Sequence, residues 1–500
     1  MSHELRLAAP SVPAPRTVLT STTALLGLTM AIGCATNPVT GKSELSLVSE
    51  SQEIAMGRQG AIDVVAALGA YSDTALQLYV DRIGRGLAAR TERPALPWKY
   101  QVLDDAAVNA FALPGGFIFV TRGLLTHMTN EAELASVLGH ESGHVAARHS
   151  VQQISRQQVA AVGLGVGSVL SPVIAKYSYV AGAGLGLLFL KNGRDDERQA
   201  DQLGFRYALA DGYDAREMIG LFEMLQASEK LSGGGRLPGW QSTHPDPGNR
   251  IKDVQTMAGA STQDFSSMRI RGEEFLQRIH GVVYGENPRA GYFQGAVFIH
   301  PDLKFLLQFP DGWKMQNASD AVTGISAAQD AIIELRGAQG TAAEAAKRFL
   351  GQQGLQPGAV SQGTIHGNRA VTAEFTAMSE QAGAVRGVVS FIEYDGATWG
   401  ITAYSVAERF TFYSPSFQRS ISSFDRLTDP AALAVQPLHV RIDKAPGAMS
   451  LQQFNTQLPS SIPLAELALI NGMDQNAPLR PGQSIKRVVG TPMARVSSQR

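Results

Sequence analysis

The chain has 500 residues, 44% of them hydrophobic and 17% charged, which excludes a disordered tail or a collagen-like fibre and leaves room for more than one core. Lys+Arg is 43 against Asp+Glu 44, a formal net charge of −1 that offers no electrostatic case for nucleic acid as a partner. A cysteine count of 1 rules out an intrachain disulfide, a Cys-rich zinc ribbon and a CxxC redox pair.

Residues 1–33 read as an address, a signal peptide rather than fold material. Arg6 and Arg16 precede a short apolar run at 23–33 that cannot span a bilayer and ends in small residues. The order Ala31-Ile32-Gly33-Cys34 resembles a bacterial lipobox, in which the signal is cut before a lipidated cysteine, with Ala31 where Leu is usual. Ala35, in place of an inner-membrane retention Asp, implies an outer-membrane lipoprotein facing the periplasm. The string VTGKS at 39–43 is not a P-loop, because Thr36 stands where Walker A requires Gly.

Apolar spacing near 3.6 predicts helices from Glu50 to Ala67 and over 74–90. Strands are predicted at 99–104 and 116–121, with NAFALPGG between them. A long helix follows over 131–156, N-capped by Asn130, with Glu131 and Glu133 in the first turn where the helix dipole favours acids. Residues 159–190 are nearly uncharged, and a further helix opens at Asp195 and closes near Gly212. After about residue 285, strand-like runs alternate with a helical stretch at 341–352, which marks 295–428 as a separate α+β domain. A Pro/Ala-rich join leads to a last piece at 438–490.

The chemistry centres on HESGH at 140–144. On a helix, positions i and i+4 share one face, so His140 and His144 can grip one ion, and Glu141, about 100° away, can reach a ligand beside it. Imidazole nitrogens suit Zn²⁺, a catalytic zinc keeps one position open, and water held there is acidified enough for a nearby carboxylate to take its proton. The string ERQAD at 197–201 lies in the first turns of the next helix. Glu197 can complete a His2Glu site, and Asp201, one turn on, is suited to hydrogen-bond a liganding imidazole. His149 follows His144 by five residues, which on a continuous helix rotates it off the ligand face into a structural role.

HESGH followed by ERQAD resembles the M48 family of zinc metallopeptidases, the Ste24-like gluzincins, whose signature is HExxH and then ExxAD. NAFALPGGFIFVTRGLL (109–125), STHPDPGNRI (242–251) and NPVTGKSELSLVSESQEIAMG near the mature start are similar to family segments as well. The resemblance implies one Zn²⁺ per chain held by His140, His144 and Glu197, with Glu141 as the general base. It implies an α+β multidomain fold: a mainly helical gluzincin-type peptidase domain with a small sheet over 34–285, then the α+β domain, then a small module. Residues 300–428 loosely resemble PsbP/Mog1-like domains in pattern, and 438–490 resembles a LysM module, which implies peptidoglycan as a partner.

Three features stay open at this level. The strand near 116–121 is either an edge to which extended substrate adds or part of a plain hairpin. His244 either stabilises an oxyanion, blocks the open zinc position, or simply caps the next helix. Residues 159–190 lie between two halves of one site, so they cross a membrane twice or not at all. Two spans need about 40 residues, more than that segment supplies, so no crossing is expected. The function expected is a periplasmic zinc endopeptidase acting on misfolded or misassembled envelope proteins. The alternative is a chaperone-like assembly or binding factor with latent proteolysis.

Overall fold

The structure is a computed structural model, and the residues it describes are 34–163, 192–231, 240, 244, 247–379 and 383–491. The signal segment and most of the uncharged 159–190 run lie outside the described residues. No helix among the described residues is long and apolar enough to cross a membrane.

The described part opens with a short hairpin of β1 (Cys34–Thr36) and β2 (Ser43–Leu45). Two helices follow, α1 (Glu50–Leu68) and α2 (Thr74–Ala88). Ser49 and Gln52 form a capping box on α1, and the Asp73 carboxylate accepts from Leu76 N at the start of α2. A three-stranded sheet comes next, in the order β3 (Lys99–Leu103), β5 (Phe117–Thr121), β4 (Ala110–Leu113). β3 and β5 are parallel, and β4 and β5 are antiparallel. The 116–121 strand is therefore central, not an edge: NAFALPGG supplies a strand of its own, and its turn is made by Gly115 and Gly116 at φ 76° and 99°. Among the described residues, β4 pairs only with β5.

A short helix, α3 (Arg122–His127), leads to α4 (Glu131–Ala146), capped by the Asn130 side chain accepting from Glu133 N. Every residue of α4 is buried, so its polar side chains must look for partners inside the protein. At its start, Glu131 accepts from the Tyr79 and Tyr213 hydroxyls, each at 2.7 Å. The helix predicted over 131–156 is two helices. It stops at Ala146, passes through Arg148 at φ 59°, and restarts as α5 (His149–Gly163).

Opposite α4 runs α6 (Arg194–Ala210), and the two meet through small residues. Gly139 and Gly143 face Gly204 and Ala200, and a Cβ on Gly204 would stand 2.7 Å from His140 N. This close approach is what brings residues from the two helices to one point. Replacing Gly204 by Ala is therefore expected to part the helices and cost about 1–3 kcal/mol. Gly220 lies inside α7 (Met218–Leu231), where a new Cβ meets nothing closer than Glu133 Oε1 at 3.5 Å. Gly220→Ala should shift stability the other way, by about 0.5–1 kcal/mol. Urea unfolding of the two variants checks the opposite signs.

The helical body continues with α8 (Pro247–Ala260). Residues 292–426 then build two antiparallel sheets. One has seven strands, running from Lys314–Asn317 at one edge to Leu355–Ile365 at the other. Helices Ala342–Leu350 and Phe410–Ser422 cover its two faces: on the strand Gly383–Tyr394, Val389 and Phe391 pack with the first helix's core and Ile392 and Tyr394 with the second's. At the end of the chain, Leu438–Lys444 pairs with Val283–Tyr284 on one side and Ser484–Val489 on the other. Val440, Phe454, Leu467 and Val488 share one apolar core with α2, α4 and α6. Lys486, fully buried, donates to the Thr126 and Met128 carbonyls just ahead of α4.

Candidate metal centre

Four side chains from three places in the sequence converge beside α4. His140 and His144 project from its face toward α6, Glu197 comes from the first turn of α6, and His244 comes from the segment before α8. All four are buried, and one ligand atom from each lies within 4.8 Å of the others. A tetrahedral zinc with donors at about 2.0–2.1 Å holds those donors about 3.3 Å apart. His140 Nε2 is 3.0 Å from His144 Nε2 and 3.5 Å from Glu197 Oε2. His144 Nε2 is 3.4 Å from Glu197 Oε1. His244 Nδ1 stands 3.3 Å from His140 Nε2 and 3.0 Å from Glu197 Oε1. The donor set, three imidazoles and a carboxylate, and these spacings fit a zinc ion.

Asp201 does not join the donors. Its Oδ1 is 2.8 Å from His140 Nδ1, on the side of the ring away from the cluster, which fixes Nε2 as the atom facing it. Behind Asp201 lies Arg250, whose Nε and Nη2 grip the carboxylate at 2.8 and 2.7 Å. Its Nη1 is 3.2 Å from Glu197 Oε2, and the guanidinium lies 4.2 Å from the Phe222 ring centroid. His244 is held by the face of Trp240, with ring centroids 4.1 Å apart, and by a hydrogen bond from its backbone N to Trp240 O.

Glu141 lies next to the cluster rather than in it. The Ala112 backbone N–H of strand β4 donates to its carboxylate, and its Oε1 is 3.5 Å from His244 Nε2 and has no hydrogen-bond partner. A fully buried carboxylate oxygen without a partner is costly, and such atoms concentrate where a ligand or water belongs.

The electrostatics follow from burial and neighbours. Burial pushes Glu141 up to about 7. Burial, reinforced by Arg250, brings His140 down to about 3, so it stays neutral and able to donate a lone pair. Burial would raise Glu197, but His244 and His144 hold it well below the usual carboxylate range. Asp201 is likewise brought down against burial by Arg250 and His140.

Residues 74–258 match the sequence pattern of peptidase family M48. The chain carries an M48 domain. Its relatives include the Beta-barrel assembly-enhancing protease of Yersinia pestis, 30% identical over 47% of this chain and 51% of that protein. Mitochondrial metalloendopeptidase OMA1 of Schizosaccharomyces pombe is 29% identical over 44% of this chain and 64% of its own length. The chain thus spans about half the length of the first of these relatives and under two thirds of the second. A solved structure of cyanobacterial PsbP from Synechocystis overlaps 27% of this chain at 13% identity and a TM-score of 0.23, too slight a likeness to carry an argument.

Two residues that the structure brings against this cluster carry no role in the sequence reading. Arg250 is the next-to-last residue of the segment STHPDPGNRI, and its signal is a cation six residues after His244, facing a site with three acids. His149 falls off the ligand face only on an unbroken helix over 131–156. The break at Arg148 swings it back, and its Nδ1 lies 2.8 Å from His144 Nδ1. Nothing local in AARHS announces that break.

Proposed function

We propose that this protein is a zinc-dependent endopeptidase. The observation that carries the reading is the convergence of His140, His144 and Glu197 donor atoms at zinc spacing beside a buried Glu141 oxygen that lacks a partner. His140 and His144 would hold the ion through Nε2, and Glu197 through its carboxylate. The chemistry zinc supplies in such a site is Lewis acidity toward a carbonyl oxygen and toward water.

The protein's own groups then do the following. Glu141, raised by burial, takes the proton from the attacking water and later hands it to the leaving amine. Asp201 and Arg250 fix the orientation of the His140 ring. Strand β4, which directs the Ala112 N–H at Glu141, offers an edge along which an extended polypeptide can add as a further strand.

In the same reading Cys34 carries a lipid anchor at the outer membrane, and the substrates are misfolded or misassembled envelope polypeptides. A relative named as a protease that enhances β-barrel assembly supports that part. Residues 438–490, LysM-like in pattern, would keep the enzyme near peptidoglycan.

A second reading, latent proteolysis, is favoured by one observation: His244 Nδ1 stands where a fourth ligand would, at 3.0–3.3 Å from Glu197 and His140. His244 then acts as a plug that must leave before substrate enters. Casein cleavage with and without chelator tests both readings. Cleavage should vanish on chelation and return with zinc; cleavage indifferent to chelator would sink the peptidase reading. His244→Ala should raise cleavage roughly tenfold if the plugged form makes up about nine-tenths of the population. Lowered activity in that variant would instead make His244 a participant in the reaction.

A further inference from the structure

The two helical histidines are supported differently. His140 donates to a carboxylate, Asp201, itself paired with Arg250. His144 meets a third imidazole, with His149 Nδ1 at 2.8 Å from its own Nδ1. Because His144 Nε2 faces the cluster and must offer a lone pair, its proton sits on Nδ1 and is donated to His149. His149 must therefore accept at Nδ1 and carry its own proton at Nε2, where it donates to Gln199 Oε1 at 2.8 Å. The donors run in one direction only, from His144 through His149 to Gln199 of ERQAD.

His149 reaches this position because the chain turns sharply at Arg148. A non-glycine side chain at φ 59° crowds its own backbone, so something must hold it. Its own side chain does: Nε donates to Glu53 Oε2 at 3.0 Å and Nη2 to Val48 O at 2.9 Å. Glu53, from the first turn of α1, is buried and also accepts from Arg93 Nη1 at 2.7 Å and from Gly115 N at 3.2 Å. Arg93 in turn donates to Val145 O, the end carbonyl of α4 that also accepts from Arg148 N. One carboxylate thus ties α1 to the end of the helix carrying His144, to the turn after it, and to the hairpin that follows strand β4.

We propose that His149 is a positioning residue for His144, and that Glu53 is the latch that keeps it there, so that the zinc affinity of the site depends on how α1 is seated. The inference rests on the zinc-peptidase reading. His149 orients the liganding ring without adding negative charge, whereas the Asp201 carboxylate that orients His140 needs Arg250 to balance it.

The test is zinc affinity of the full chain, measured by competition with a chromophoric chelator, alongside peptide cleavage. His149→Phe keeps a flat ring and removes both nitrogens; its zinc affinity should fall about 10–100-fold. His149→Asn restores an acceptor at the Nδ1 position and should recover most of that loss, a rescue that a purely space-filling role would not give. Glu53→Gln keeps its shape but drops the charge that holds Arg93 and Arg148, and should weaken zinc binding by a smaller factor in the same direction. If the wild-type chain binds one zinc and His149→Phe binds it equally well, the positioning role is overturned. A Glu53→Gln variant with unchanged affinity overturns the latch. A wild-type chain that takes up no zinc overturns the peptidase reading, and this inference with it.

Discussion

Replacing Glu141 by Gln is expected to abolish hydrolysis while zinc stays bound at one ion per chain. Gln has the same shape, can still accept from the Ala112 N–H, and does not touch the His140, His144 and Glu197 donors. What it cannot do is take a proton from water and return it to an amine. General-base catalysis contributes about 10²–10⁴-fold, so kcat should drop by at least that factor, equivalent to about 3–5 kcal/mol of transition-state stabilisation. KM should change little, because the group acts on the reaction and not on substrate binding. The check is single-turnover peptide cleavage together with metal analysis. Full activity in this variant would remove the mechanism. Loss of the metal as well would mean that Glu141 helps to build the site. An inactive, zinc-loaded variant is also the reagent for capturing natural substrates.

The second large effect is expected at Arg250. The guanidinium is buried between two carboxylates, bidentate on Asp201 and 3.2 Å from Glu197. Arg250→Met keeps much of the volume and leaves Asp201 buried without its cation. Breaking a buried pair from one side costs about 3–5 kcal/mol, because the charge left behind is uncompensated. The penalty should be largest in metal-free protein, where no other added charge balances the site. Asp201 then gains a proton more easily, becomes a poorer acceptor for His140 Nδ1–H, and zinc affinity should fall about 10–100-fold. Urea unfolding of chelated wild type and variant measures the first effect, and chelator competition the second. A metal-free variant within about 1 kcal/mol of wild type would show that the pair is better solvated than its burial implies.

Much of the site could be read from the residues. HESGH places two imidazoles one turn apart on any helix, and ERQAD puts Glu197 and Asp201 one turn apart on another. Those relations follow from helical geometry alone. The helices themselves were also legible, since Asn130 is a cap residue and apolar spacing near 3.6 marks 50–67 and 74–90. The strand Ala110–Leu113 was hidden inside NAFALPGG because a four-residue strand bounded by Pro and Gly has too few positions to show a period.

What the sequence determined by itself is therefore the inventory: two histidines and two glutamates, each on a local element whose period and caps lie within a few residues. What the tertiary structure decided is how those elements meet. Gly139, Gly143 and Gly204 carry no chemistry, yet their lack of side chains lets α4 and α6 approach closely enough for four donors to share one point. Arg148 sits in a left-handed turn and hydrogen-bonds to Glu53 and to Val48 O, far back in the chain. Arg250 becomes part of the site because two buried carboxylates need a cation at that spot. These features depend on distances between residues remote in sequence, and no local pattern encodes such distances.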